Sequence, residues 1–112
     1  MSPYVQVVTT TETHEDAEKI ARTLVESRLA ACVQIVGPIR SIYRWQGQIQ
    51  TSQEWQCWAK TRSERWAEVE EAIRRLHPYE VPEILAVPVE AGSASYLKWL
   101  DEQLPGGARG AD

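Results

Sequence analysis

Two runs of alternating apolar and polar positions meet at a single glycine in the middle of the chain. From Ala31 to Trp45 the odd positions are the bulky ones: Val33, Ile35, Ile39, Tyr43 and Trp45. From Ile49 to Arg62 they are so again, with Ile49, Trp55, Cys57 and Ala59. A period of two marks half-buried strands, because successive side chains point to opposite faces of a sheet. A three-residue turn at Gln46-Gly47-Gln48, with glycine at positive φ, predicts a hairpin in which Trp45 faces Ile49 and Ile39 faces Trp55. Gly37-Pro38 interrupts the first arm, as expected at a bulge or edge, since proline cannot donate to the ladder.

The flanking segments fit around this hairpin. Tyr4 to Thr10 is β-branched and nearly continuous in apolar character, which predicts a short buried strand. Thr13-His14-Glu15-Asp16 is close to a capping box. Ala17, Ile20, Ala21, Leu24 and Val25 then fall at helical spacing, predicting a helix from Thr13 to Leu29. A second helix is expected after Ser63, with Trp66, Val69, Ile73 and Leu76 as its apolar stripe, His77 in its last turn and Pro78 as its end. Ile84 to Val89 reads as a final strand near a sheet edge. Ala94 to Leu104 reads as a C-terminal helix with Leu97 and Leu100 inward. The order predicts an α+β domain: a ferredoxin-like βαββαβ sandwich with a long hairpin between its second and third strands and an extra C-terminal helix. Residues 1–104 form one domain on this reading, and 105–112 a disordered tail.

The hairpin is longer than the helix that would cover it. Arms of about 14 residues reach on the order of 45 Å, against about 24 Å for the first helix. The outer part, Ser41 to Thr51, therefore lacks helical cover, yet carries Ile42, Tyr43, Trp45 and Ile49. A bare edge with such residues, and a sheet with helices on one face only, predict pairing with a partner chain through those four residues.

Composition narrows the partners. At 112 residues, a net charge of −4 and a pI near 5.2, the chain lacks the basic excess of a nucleic-acid binder. Its apolar runs are too short to cross a bilayer, and no signal-like segment opens it, so a cytoplasmic location is expected with no membrane partner. Cys32 and Cys57 are expected on opposite faces of the hairpin, too far apart for a disulfide. All five tryptophans lie between Trp45 and Trp99, and phenylalanine is absent. Tryptophan suits packed, partly polar interfaces.

Chemistry-bearing residues are sparse. His14, His77, Cys32 and Cys57 are the only imidazole or thiol donors, and no two lie at metal-ligand spacing. No nucleophile elbow and no phosphate-cradling glycine loop occur. The one dense polar cluster is His77-Pro78-Tyr79-Glu80-Val81-Pro82-Glu83, in which two prolines fix the backbone while histidine, tyrosine and carboxylates project from it. It reads either as a rigid corner with solvated acids or as a pocket wall at a subunit junction.

Several stretches together resemble the CutA family of divalent-cation tolerance proteins: Leu29-Ala30-Ala31-Cys32-Val33; Ser41-Ile42-Tyr43-Arg44-Trp45-Gln46-Gly47 with Glu54; Lys60-Thr61; His77 to Ile84; and Tyr96-Leu97-Lys98-Trp99-Leu100. The resemblance covers about residues 4 to 104. It implies a ferredoxin-like protomer in a homotrimer built by long hairpins, similar in plan to PII signalling proteins. It also implies a role with copper and other divalent ions and no established catalytic reaction. Some members carry a cysteine at the end of the first strand and paired histidines before the proline, read as copper ligands. Here Thr9 and Leu76-His77 stand there, so only His77 carries over, with Cys32 as a second candidate, and Cu²⁺ is expected to bind weakly, with no cofactor required. Two further readings remain: a metal-independent partner- or small-ligand-binding trimer using inter-subunit clefts lined by Lys60, Tyr79, Glu80 and Glu83, or an unrecognised enzyme with Tyr79, Glu80 and Lys60 in such a cleft.

Overall fold

The structure, a computed structural model, describes residues 2–104, so the expected tail at 105–112 lies outside the described residues. The elements follow the predicted order: β1 (Tyr4–Thr11), α1 (His14–Glu26), β2 (Cys32–Trp45), β3 (Gln48–Arg62), a 3₁₀ turn (Ser63–Arg65), α2 (Trp66–Leu76), β4 (Leu85–Pro88) and α3 (Ala94–Glu102). One antiparallel sheet has the strand order β2-β3-β1-β4. This is the split βαβ arrangement, with β4 at an edge as its proline requires.

Capping chemistry sets the helix starts. Thr13 accepts a hydrogen bond from the Asp16 N–H at 3.0 Å, and Ser93 accepts one from Tyr96 N–H at 3.3 Å. The first helix stops at Glu26, short of the predicted Leu29, because Arg28 takes a left-handed φ of 61° that ends the helical run. Ser63 opens the 3₁₀ turn rather than capping α2 with its side chain.

Both main helices pack on one sheet face. Ala17, Ile20 and Leu24 of α1 and Val69, Ala72 and Ile73 of α2 meet Val5 and Val7 of β1 and Cys57 and Ala59 of β3 in one buried cluster. On the other face α3 covers one end only, where Leu100 and Leu104 pack with Ala31 and Tyr4. Tyr4 O–H donates to Asp101 at 2.9 Å, and Arg62 pairs with the same carboxylate at 2.8 Å. The rest of this face leaves Val36, Leu85 and Val87 exposed.

The hairpin register departs from prediction. The turn contains two residues, Gln46 (φ 52°) and Gly47 (φ 81°), so Trp45 pairs with Gln48 and Ile39 with Glu54. Two consecutive positive φ values match the strand twist, which a two-residue turn exploits. A bulge between Val36 and Ile39, spanning Gly37-Pro38, shifts the register so that Ile35 meets Cys57 and Val33 meets Ala59. Glycine is required there: a Cβ at Gly37 would lie 2.6 Å from the Trp55 ring. The register consequently puts Ile49 on the face opposite to Trp45. Tyr43 and Trp45 share one side, whereas Ile42 and Ile49 share the other with Arg40 and Arg44. All four are exposed, Ile42 at 67% and Ile49 at 61%. Cys32 and Cys57 are unpaired and fall on opposite faces.

Candidate functional site

The corner after α2 is held by one imidazole. Pro78 excludes helical backbone at the residue before it, so His77 is extended (φ −80°, ψ 134°) just past the helix rather than in its last turn. Pairing of β4 with β1 reaches only Val8, which leaves the end of β1 without a β4 neighbour. The buried His77 ring fills that gap: Nε2 lies 2.7 Å from the Thr10 carbonyl, and Nδ1 accepts the Tyr79 N–H at 3.1 Å. With Nδ1 an acceptor, Nε2 carries the proton and donates to Thr10. His77 thus fastens the 77–83 corner to the sheet.

Tyr79 projects from that corner to the sheet. Its hydroxyl donates to Glu54 Oε2 at 2.8 Å, and Glu54 is only 7% exposed. Burial, then the bond to Glu54 and that group's charge, push the Tyr79 hydroxyl above its ordinary range and keep it protonated. Burial and the Glu54 charge also raise the Glu83 carboxyl. Between corner and hairpin lies an open groove of about 570 Å³, walled by Tyr43, Trp45 and Tyr79 and carrying Glu54, Glu80 and Glu83. It combines aromatic faces with three acids, and among the described residues no Lys or Arg lines it.

Tyr79, Glu80 and Glu83 line this one groove, whereas Lys60 does not join them within one chain. It lies six positions along β3 from Glu54, roughly 20 Å away, bonded to Gln34 at 2.8 Å and 5.7 Å over the Tyr96 ring. Cys32 pairs opposite Lys60, two strands over from Thr10 and roughly 16 Å from it, so it and His77 do not form one donor set. Among the described residues no group of three or more His, Cys, Asp or Glu side chains is placed to hold a metal ion. Sequence reasoning missed Glu54 as the centre of the site. The available signal was a carboxylate directly before Trp55 on a strand whose neighbours are neutral.

Comparison with known proteins covers nearly the whole chain. The sequence profile described as CutA1 divalent ion tolerance protein matches residues 5–103. The divalent-cation tolerance protein CutA of Thermus thermophilus is 47% identical over 96 residues, which is 86% of this chain and 93% of that protein. A solved structure of a divalent cation tolerance protein from the same species superimposes with a TM-score of 0.86 at 45% identity over 89% of this chain and 97% of that one. A structure described as the periplasmic divalent cation tolerance protein CutA from Archaeoglobus fulgidus gives 0.87 at 40% identity, covering 90% and 98%. These descriptions name cation tolerance, and none names a reaction.

Proposed function

Because this chain belongs to the CutA1 divalent ion tolerance family, we propose that it is a metal-response protein working as a homotrimer with a PII-like signalling architecture. The family match over residues 5–103 is the observation that carries this reading. The outer hairpin supports the assembly, since Ile42, Tyr43, Trp45 and Ile49 are all exposed in a single chain. Burying about 800 Å² per subunit, a standard interface, offers on the order of 10 kcal/mol at ~25 cal/mol per Å² of its apolar share, before association costs. That rivals the stability of a domain of this size, about 5–15 kcal/mol.

Metal binding, with Cu²⁺ as the leading ion, is weak on this proposal. For His77 to act as a ligand, one ring nitrogen must give up its bond to Thr10 or Tyr79, at a cost of about 1 kcal/mol or more. Cys32 would bind separately. Equilibrium dialysis against Cu²⁺, on wild type beside His77→Ala and Cys32→Ser, tests this. Weaker binding in either variant is expected. Unchanged affinity in both variants removes these residues from the reading. A cytoplasmic location belongs to the same proposal; the archaeal neighbour is described as periplasmic, and cell fractionation separates the two.

A second reading, a small-ligand-binding trimer that needs no metal, is favoured by the acid- and aromatic-lined groove. The enzyme reading loses support within one chain, because Lys60 stands apart from Tyr79 and Glu80.

A further inference from the structure

The chain has two histidines, and the fold leaves only one of them open to a ligand. His77 is buried, with both ring nitrogens engaged by backbone groups. His14, the first residue of α1, has half of its side chain exposed. Among the described residues neither of its ring nitrogens makes a hydrogen bond. Its Nδ1 lies 3.8 Å from Oε1 of Glu18, one helical turn further on, which is too long for a hydrogen bond. Arg22 pairs with the other carboxylate oxygen, Oε2, at 3.0 Å, so Oε1 is the one turned toward the imidazole. The ring is also steered from below. It stands edge-on to Trp55 of β3, with centroids 4.8 Å apart and an angle of 82°. Trp55 is itself held against the core cluster and against Gly37, so it offers the imidazole a fixed surface.

From this arrangement we infer that His14 and Glu18 form a two-donor site for a divalent transition-metal ion, Cu²⁺ above all, on the outer surface of α1. Two ligands each about 2.0–2.2 Å from one ion stand at most about 4 Å apart, so the observed separation brings both within reach of a single ion after a small side-chain rotation. Imidazole with carboxylate suits Cu²⁺, which stands highest in affinity among the first-row divalent ions. His77 must surrender a hydrogen bond before it can bind, whereas His14 surrenders none. The dipole of α1 opposes a cation at this end, and Glu15 and Asp16 in the first turn offset it. Among the described residues no third donor joins the pair, so water completes the coordination and binding is weak. The site draws on none of the four hairpin residues assigned to the subunit contact. The inference rests on the metal-binding part of the proposed function and moves its first ion from His77 to α1.

The test uses the full chain with ¹⁵N-labelled histidine, which gives imidazole resonances from two residues only. Substoichiometric CuCl₂ is added, and its paramagnetism broadens the ring nearest the bound ion. The His14 signals are expected to disappear first while those of His77 stay sharp, and in His77→Ala the His14 broadening is expected to persist. Equilibrium dialysis gives the affinity for the first Cu²⁺ equivalent. His14→Ala, an exposed change that spares the core, is expected to weaken it at least about tenfold, and Glu18→Gln, which keeps the shape and removes the charge, about threefold or more. Earlier broadening of His77 overturns the inference, as does unchanged first-equivalent affinity in His14→Ala or in Glu18→Gln. The two readings fail separately. Copper that is retained but broadens His77 first refutes the α1 site and leaves metal binding standing, whereas copper that is neither retained nor broadens either ring refutes both.

Discussion

Tyr79→Phe removes one oxygen from the protein and leaves Glu54 with no hydrogen-bond donor among the described residues. The deleted bond is 2.8 Å long and ends on a carboxylate only 7% exposed. Hydrogen bonds to charged groups contribute about 1.5–3 kcal/mol, and an unsatisfied buried acceptor adds its own desolvation cost. A loss of about 2 kcal/mol follows. With a urea m-value of about 2 kcal/mol/M for a domain of this size, the midpoint falls by about 1 M. The assay is urea unfolding by tryptophan fluorescence at one fixed protein concentration, since assembly makes the midpoint concentration-dependent. Glu54→Leu and the double variant complete a cycle. In the Glu54→Leu background Tyr79→Phe is expected to cost little, giving a coupling energy of about 2 kcal/mol. A coupling near zero, or an unchanged midpoint in Tyr79→Phe, refutes the claim that this bond ties the corner to the sheet.

Other outcomes follow from single contacts. Gly37→Ala places a Cβ 2.6 Å from the Trp55 ring and 3.2 Å from the Glu54 carbonyl; overpacking of this kind costs about 1–3 kcal/mol, readable as a lower urea midpoint, and wild-type stability would contradict it. Burial pushes the Cys57 thiol up to about 11, so on native protein at neutral pH peptide mapping should find iodoacetamide on Cys57 only after unfolding, and rapid native alkylation would contradict it. Glu83 has a raised carboxyl, so the folded state holds its proton more tightly than the unfolded state does. Its ionised form therefore destabilises the fold above the folded-state pKa, and that penalty disappears below the ordinary carboxylate value of about 4.3. Glu83→Gln should raise the urea midpoint at pH 7 with a smaller gain at pH 4, and an equal gain at both would contradict the assignment.

Much of the fold was legible because its signals are local. Period-two runs, Thr13 as a cap and Pro78 as a stop placed the elements within a few residues. The hairpin register was not legible from alternation. A two-residue turn and a bulge at Gly37-Pro38 offset one another in parity, so odd positions meet odd near Cys57 but meet even beyond the bulge. Only the backbone angles at Gln46 and Gly47 distinguish this from a three-residue turn. That difference moved Glu54 opposite Ile39 and put Ile49 on the face opposite to Trp45. The polar corner was visible as a sequence cluster, whereas its partner Glu54 lies 25 positions away from Tyr79 and becomes a neighbour only through the sheet. His77 shows the same limit. The family resemblance suggested a ligand, yet tertiary contacts occupy both ring nitrogens.

The central proposal is an assembly built on the outer hairpin, and sedimentation equilibrium of the wild-type protein at micromolar concentration tests it most directly. A single species at three times the 12.7 kDa chain mass is expected, stable on dilution and independent of added Cu²⁺. A well-behaved monomer of 12.7 kDa, with Ile42, Tyr43, Trp45 and Ile49 left open to water, would contradict it.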